Sequence, residues 1–254
     1  MTRSATSLLW RLRSQVSGGA RQRIRQITDP LSGPLGSIRG ARTRDPVVGL
    51  TFDDGPDPVS TSGVLDVLAR HRALATFFVL VDRAEAHPQL IRRMLAEGHD
   101  VGLHGLDHQR LTRMERRAVA EHIESGLGRL TAVSGRKPRW FRPPYGSQSL
   151  RSYVAARRCG MDVVVWSADC EDWVQRPEEE IARQAVDAAR PGGVLLVHDA
   201  TAADTNERVF VPVLDRPAIA ERILKGLAER GYRVLSMSAL LDGRRAHRTL
   251  WFRP

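Results

Sequence analysis

The chain of 254 residues is 42% hydrophobic with a formal net charge of +10, which fits one α/β barrel-sized domain or two small ones with a sizeable core. The charge is concentrated: residues 1–45 hold nine Arg against Asp29 and Asp45 and carry +7, leaving +3 on residues 46–254. With no basic stripe and no interleaved aromatics in that remainder, nucleic acid is excluded as a partner.

At the N-terminus, Ala5, Leu8, Leu9, Leu12 and Val16 recur at helical spacing, with Trp10 at the border and Arg3, Arg11 and Arg13 around them. A short cationic amphipathic helix of this kind can lie on an anionic membrane surface. An Arg-rich disordered arm and a helix packed on the domain are the alternatives. Residues 17–45, rich in Gly, Ser, Pro and Arg, read as a linker. This divides the chain into a basic extension, 1–45, and one folded domain, 46–254. The N-terminus lacks the ~7–15-residue apolar region of a secretory signal, and no stretch approaches the ~20 apolar residues of a membrane span. The expected location is cytoplasmic, with peripheral contact at the inner membrane face through residues 1–45.

From Pro46 onward, short apolar strands alternate with amphipathic helices. The expected strands are 47–52, 75–80, 100–103, 139–141, 162–166, 194–197 and 232–235. The expected helices are 61–71, 88–97, 115–133, 150–158, 178–189 and 218–230. The pattern argues for parallel βα units, and about seven of them suit an α/β barrel better than an open sheet. Cys159 and Cys170 are the only cysteines; they form no metal spacing, and free thiols in a reducing compartment are expected.

The strand ends carry the chemistry. The run Val47–Phe52 closes on Asp53 and Asp54, then Gly55-Pro56. Two like charges at the rim of an apolar interior raise each other's pKa unless a cation or metal offsets them, and His104, His108 and Arg142 are the candidates. His104 follows the third strand, Arg142 the fourth, Asp169 and Asp172 the fifth, and His198 the sixth. In a barrel, residues at the C-terminal ends of different strands converge on one rim. His104 and His108 are spaced to aim two imidazoles at one metal, and Gly105 rules out the zinc-protease pattern, which needs Glu after the first His. Adding Asp54 gives two nitrogens and one carboxylate, leaving positions open for water and substrate.

Taken together, Thr51-Phe52-Asp53-Asp54-Gly55-Pro56, His104-x3-His108, Arg142-Pro143-Pro144-Tyr145, Asp169-x2-Asp172-Trp173 and Leu196-Val197-His198 resemble the five motifs of the polysaccharide deacetylases, the NodB-homology enzymes of carbohydrate esterase family 4. The resemblance runs from about Val47 to Leu241. It implies a distorted (β/α)7 barrel that removes acetyl groups from N-acetylated sugars with a divalent metal, Zn2+ ahead of Co2+. It also implies Asp54, His104 and His108 as metal ligands, Asp53 as base, Arg142 orienting Asp53, and the backbone N–H of Tyr145 in an oxyanion hole. His198 would be the acid, paired with Asp172, and Trp173, Leu196 and Pro144 would line the substrate site. One departure stands out: most relatives carry Ser or Thr after the first metal histidine, where its hydroxyl braces the loop, and here that residue is Gly105. The segment 199–217 is a long polar connection, read either as a lid or as a plain insertion.

Three functions are compatible with these residues. The first is an active de-N-acetylase, the second a weak or inactive sugar-binding member of the same fold. The third, a non-haem iron oxygenase, shares the two-histidine, one-carboxylate set but has no use for Asp53, Arg142 and His198. The absence of an export signal points to a cytoplasmic amino-sugar intermediate, or to a lipid-linked sugar met at the membrane.

Overall fold

The computed structural model describes residues 36–202 and 212–253. Along them run β1 (Ser37–Ala41), β2 (Val47–Asp53), α1 (Ser60–Arg70), β3 (Thr76–Leu80), α2 (Val81–Ala86), α3 (Pro88–Ala96) and β4 (Asp100–Gly105). Then follow α4 (Arg116–Ser134), β5 (Trp140–Phe141), α5 (Leu150–Arg158), β6 (Asp162–Val163), β7 (Ala168–Asp169) and α6 (Glu178–Ala188). The chain continues through β8 (Val194–His198), α7 (Arg216–Glu229), β9 (Arg233–Leu235), α8 (Met237–Leu241) and β10 (Ala246–Thr249).

Seven parallel strands form a curled sheet in the order β6-β5-β4-β3-β2-β8-β7, and β9 joins the lower half of β2. This is the distorted (β/α)7 barrel expected from the resemblance, and the predicted parallel βα units are present. The two-residue period of a strand decides what each side chain meets. Along β2, Val48, Leu50 and Phe52 face outward into the layer packed under the helices. Val47 faces the inner cluster with Phe78, Trp140, Val164 and Val194, so Thr51 and Asp53 also face inward. Each large apolar side chain buried in these layers contributes on the order of 1.5–3 kcal/mol.

Residues 37–41, expected in the linker, instead form β1. It pairs antiparallel with β10 and reaches the barrel seam through bridges Ile38↔Val164 and Gly40↔Gly193. At Gly40 a Cβ would lie 2.4 Å from the Gly192 carbonyl oxygen, so only glycine permits this approach. Ile38, with Met237 and Leu240 of α8, fills the floor of the inner cluster. The folded domain therefore begins before Asp45. The amphipathic pattern of residues 1–16 lies outside the described residues. Cys159 and Cys170 are free thiols.

Candidate active site

The two adjacent acids would point to opposite faces of a continuing strand. Here β2 ends at Asp53, and Asp54 adopts a left-handed conformation, φ 77°, which swings its carboxylate back toward the same pocket. Along β4, Leu103 packs in the outer layer, so by the two-residue alternation His104 faces inward, and the register with β3 shifts just there, between Val79↔Leu103 and Leu80↔Gly105. The strand that was expected to stop at residue 103 thus extends through the histidine.

Asp54 Oδ1 lies 3.4 Å from His104 Nε2 and 3.3 Å from His108 Nε2, and these donor atoms all fall within 4.8 Å of one another. Asp54 Oδ1 is buried without a hydrogen bond, whereas Oδ2 accepts from the Ala202 N–H at 3.1 Å. One oxygen is tied back and the other is presented. His104 Nδ1 is 2.8 Å from the Arg142 carbonyl; donating there leaves Nε2 as a lone-pair donor. Burial pushes the His108 imidazole down to about 4, so it is neutral. Burial raises the Asp54 carboxyl, but the surrounding imidazoles outweigh that and hold it well below the usual carboxylate range. An ionised oxygen without a hydrogen bond, within 3.4 Å of two imidazole nitrogens, fits a divalent cation such as zinc.

Asp53 is held by Arg142, whose Nη1 donates to Asp53 Oδ1 at 2.6 Å and to Thr51 Oγ1 at 2.8 Å. Asp53 Oδ2 lies 3.8 Å from His104 Nε2, on the ligand cluster. The Arg142 guanidinium is fully buried, 4.1 Å above the Phe78 ring. Removing such a charge from water costs several kcal/mol, which the Asp53 carboxylate offsets.

His198 ends β8 directly beside Asp53 in register. Its Nδ1 lies 2.7 Å from Asp172 Oδ1, and Asp172 Oδ2 accepts from the His198 backbone N–H at 2.8 Å. Arg216 Nη1 donates to the same Oδ2 at 3.0 Å and to the His198 carbonyl at 2.8 Å. Burial alone would lower the His198 pKa, but Asp172, with Asp54 and Asp53 behind it, raises it to about 9. Tyr145 sits at φ 59°, a strained conformation for a residue with a side chain, and its ring lies 4.1 Å from that of His108. Pro144 and Leu196 are buried, and Trp173, 45% exposed, meets His198 edge-on at 5.7 Å.

Nine of the eleven candidate residues are joined at one end of the barrel by these contacts, while Pro144 adjoins Tyr145 in sequence and Leu196 lies on β8 two residues before His198. Asp169 does not: its Oδ2 accepts from Trp166 Nε1 at 3.0 Å, away from the cluster. Three residues were missed by sequence reasoning. Arg216 opens α7, where a cation opposes the helix dipole, a local signal that it answers to something else. Arg83 of α2 donates to the carbonyls of Asp54 (3.1 Å) and Thr201 (2.8 Å). Asp199 is buried against Thr61, and burial pushes its carboxyl up to about 7. Arg83 and Arg216 thus fix the start of segment 199–217; residues 203–211, on which the lid reading depended, lie outside the described residues.

Comparison with known proteins agrees with the motifs. The polysaccharide deacetylase family model matches residues 40–164. A chitooligosaccharide deacetylase of Sinorhizobium fredii is 37% identical over 205 residues, covering 80% of this chain and 95% of that protein. The chain belongs to the polysaccharide deacetylase family. The peptidoglycan-N-acetylmuramic acid deacetylase PdaC of Bacillus subtilis is 36% identical over 211 residues, which are 80% of this chain and 41% of that longer protein. The solved structure of PdaC superposes with a TM-score of 0.67 at 34% identity, covering 77% of this chain and 90% of that one. Among the described residues, no helix is long and apolar enough to cross a membrane.

Proposed function

We propose that this polysaccharide deacetylase hydrolyses the acetamide of an N-acetylated amino sugar, releasing acetate and the free amine. The observation that carries the reading is the convergence of a donor set (Asp54, His104, His108), an oriented base (Asp53 on Arg142) and a charged acid (His198 on Asp172) at one rim. Asp54, His104 and His108 would hold a divalent cation, which when bound would supply Lewis acidity to the acetamide carbonyl and the attacking water. Zn2+ suits the nitrogen and oxygen donors best, with Co2+ as substitute.

The remaining steps belong to the chain. Asp53, pinned through Oδ1, takes a proton from the attacking water at Oδ2 as oxygen adds to the carbonyl carbon. The Tyr145 backbone N–H, fixed by the left-handed turn, donates to the oxyanion that develops. An amide nitrogen leaves poorly as an anion, and His198, still protonated at neutral pH, gives it a proton as the C–N bond breaks. Trp173, Leu196 and Pro144 enclose the acetyl methyl. A merely sugar-binding protein has no use for a paired acid and base, nor does an oxygenase.

The candidate substrates are a soluble amino-sugar intermediate and a lipid-linked sugar reached through peripheral binding of the basic residues 1–45 to an anionic membrane. Relatives named for peptidoglycan and chitooligosaccharides add those polymers to the screen. Acetate release should be measured on monomeric, oligomeric, polymeric and lipid-linked N-acetyl sugars, before and after chelation and Zn2+ repletion. Release from one class that stops on chelation and returns with Zn2+ is expected. Full activity in protein shown to be metal-free by elemental analysis would overturn the mechanism.

A further inference from the structure

The loop between the two imidazole donors opens on Gly105, which has no side chain to brace it, and another residue stands against it. Gly105 closes β4 at φ +121°, and a Cβ there would lie 2.9 Å from the Asp107 carbonyl oxygen and 3.5 Å from His122 Nε2. Both the conformation and the space exclude a side chain from this backbone. The loop is tied instead at Leu106. Its carbonyl accepts from the Asp82 N–H at 3.1 Å, and its N–H donates to His122 Nε2 at 3.2 Å.

His122 projects from α4 and is 7% exposed. Burial holds its imidazole below the ordinary histidine value, which keeps the Nε2 lone pair available. One turn along the same helix, Gly126 lets α4 close on the loop: a Cβ there would come 3.2 Å from Leu103 and 3.7 Å from Leu106. A buried N–H left without an acceptor is costly, so the loop has little freedom to leave His122.

Resting on the reading of Asp54, His104 and His108 as metal ligands, we propose that His122 is a positioning residue for the metal centre. Its imidazole fixes the 105–107 loop, and through it the spacing of His104 to His108, in place of a side chain at residue 105. Groups behind metal ligands commonly tune affinity by about 10- to 100-fold.

The test is Zn2+ affinity of the purified full chain by competition with a chromogenic chelator, with the Co2+ absorption spectrum as a report on donor geometry and thermal melting of the metal-free protein as a control. His122→Leu should weaken Zn2+ by about 10- to 100-fold and alter the Co2+ spectrum. His122→Gln, whose side-chain oxygen can accept from the Leu106 N–H, should recover most of both at a similar melting temperature. Gly105→Ser, although it adds a hydroxyl, should weaken binding. Wild-type affinity in folded His122→Leu overturns the proposal, as does His122→Gln binding no better than His122→Leu. Asp54→Asn separates the two readings: if it binds Zn2+ like wild type, the ligand assignment fails whatever His122 does.

Discussion

His108 and His198 line the same cleft and both are largely shielded from water, yet burial takes the first down to about 4, whereas the second stands at about 9. The difference lies in what each carboxylate is committed to. Asp54 Oδ1 is shared between His104 and His108 at 3.4 and 3.3 Å, and desolvation outweighs its attraction at His108. Asp172 is wholly buried and meets one imidazole at 2.7 Å, with Arg216 fixing its other oxygen. One rim thereby holds an imidazole, His108, that stays unprotonated to donate a lone pair and an imidazole, His198, that stays protonated to donate a proton. Residue type alone assigns neither role; the neighbouring carboxylate does.

The largest test of this division is made on the adjacent acids. Asp53→Asn should cut turnover by about 10²- to 10⁴-fold while elemental analysis still finds metal, whereas Asp54→Asn should lose metal and turnover together. Equal metal loss in both variants would erase the distinction between them.

Next comes Asp172→Asn. A histidine whose folded pKa is raised contributes stability that is fully present below its unfolded value and is lost as pH rises through the folded value, here about 9. Wild-type melting temperature should therefore fall from pH 7 to pH 10, and the variant should lose that slope. Its alkaline limb of kcat/KM should move to lower pH, at a stability cost of about 3–5 kcal/mol for breaking a buried pair.

Arg216→Gln sharpens the comparison because it removes a cation from the other side of the same carboxylate. It should lower stability, but the alkaline limb should move slightly upward, opposite to Asp172→Asn. Parallel shifts would show that His198 responds to disorder of Asp172 rather than to charge.

The smallest effect on turnover concerns the N-terminal residues. A truncated chain beginning at Gly36 should keep full activity on soluble substrate but lose salt-sensitive binding to anionic vesicles. A chain beginning at Asp45 should also lose stability, by about 2–5 kcal/mol for the buried Ile38 side chain alone. Equal vesicle binding by the full chain and the Gly36 form would remove the membrane role.

Much of this was legible in sequence, because apolar runs and the acids and histidines that end them are local signals. The order of βα units, and Asp53, Asp54, His104, His108, Arg142, Asp172 and His198 near the strand ends, could be read that way, whereas Tyr145, Pro144, Trp173 and Leu196 came only from the family resemblance. What was not legible depends on partners distant in the chain. Ser37–Ala41 sits among Gly and Arg and becomes a strand only because β10 and the barrel seam receive it. Val81–Ala86 follows β3 without a break residue, so nothing marks α2 as a separate helix carrying Arg83. His122 lies within an ordinary amphipathic pattern, and only the fold shows that its ring reaches a backbone N–H sixteen residues earlier.

The pairing of Ser37 with Thr249 joins segments separated by nearly the whole chain, and this bears on how the protein is made. During synthesis β1 emerges early and must wait while about 200 residues follow before its partner exists. Closing so long a loop carries an entropic cost that grows only logarithmically with length, so the delay rather than the final energy is the hazard. A waiting strand is an open edge to which other nascent chains can add, and Arg39 within it is the kind of charge that discourages such additions. The ribbon of β1 and β10 is thus expected to form late, sealing a barrel whose catalytic rim is already assembled.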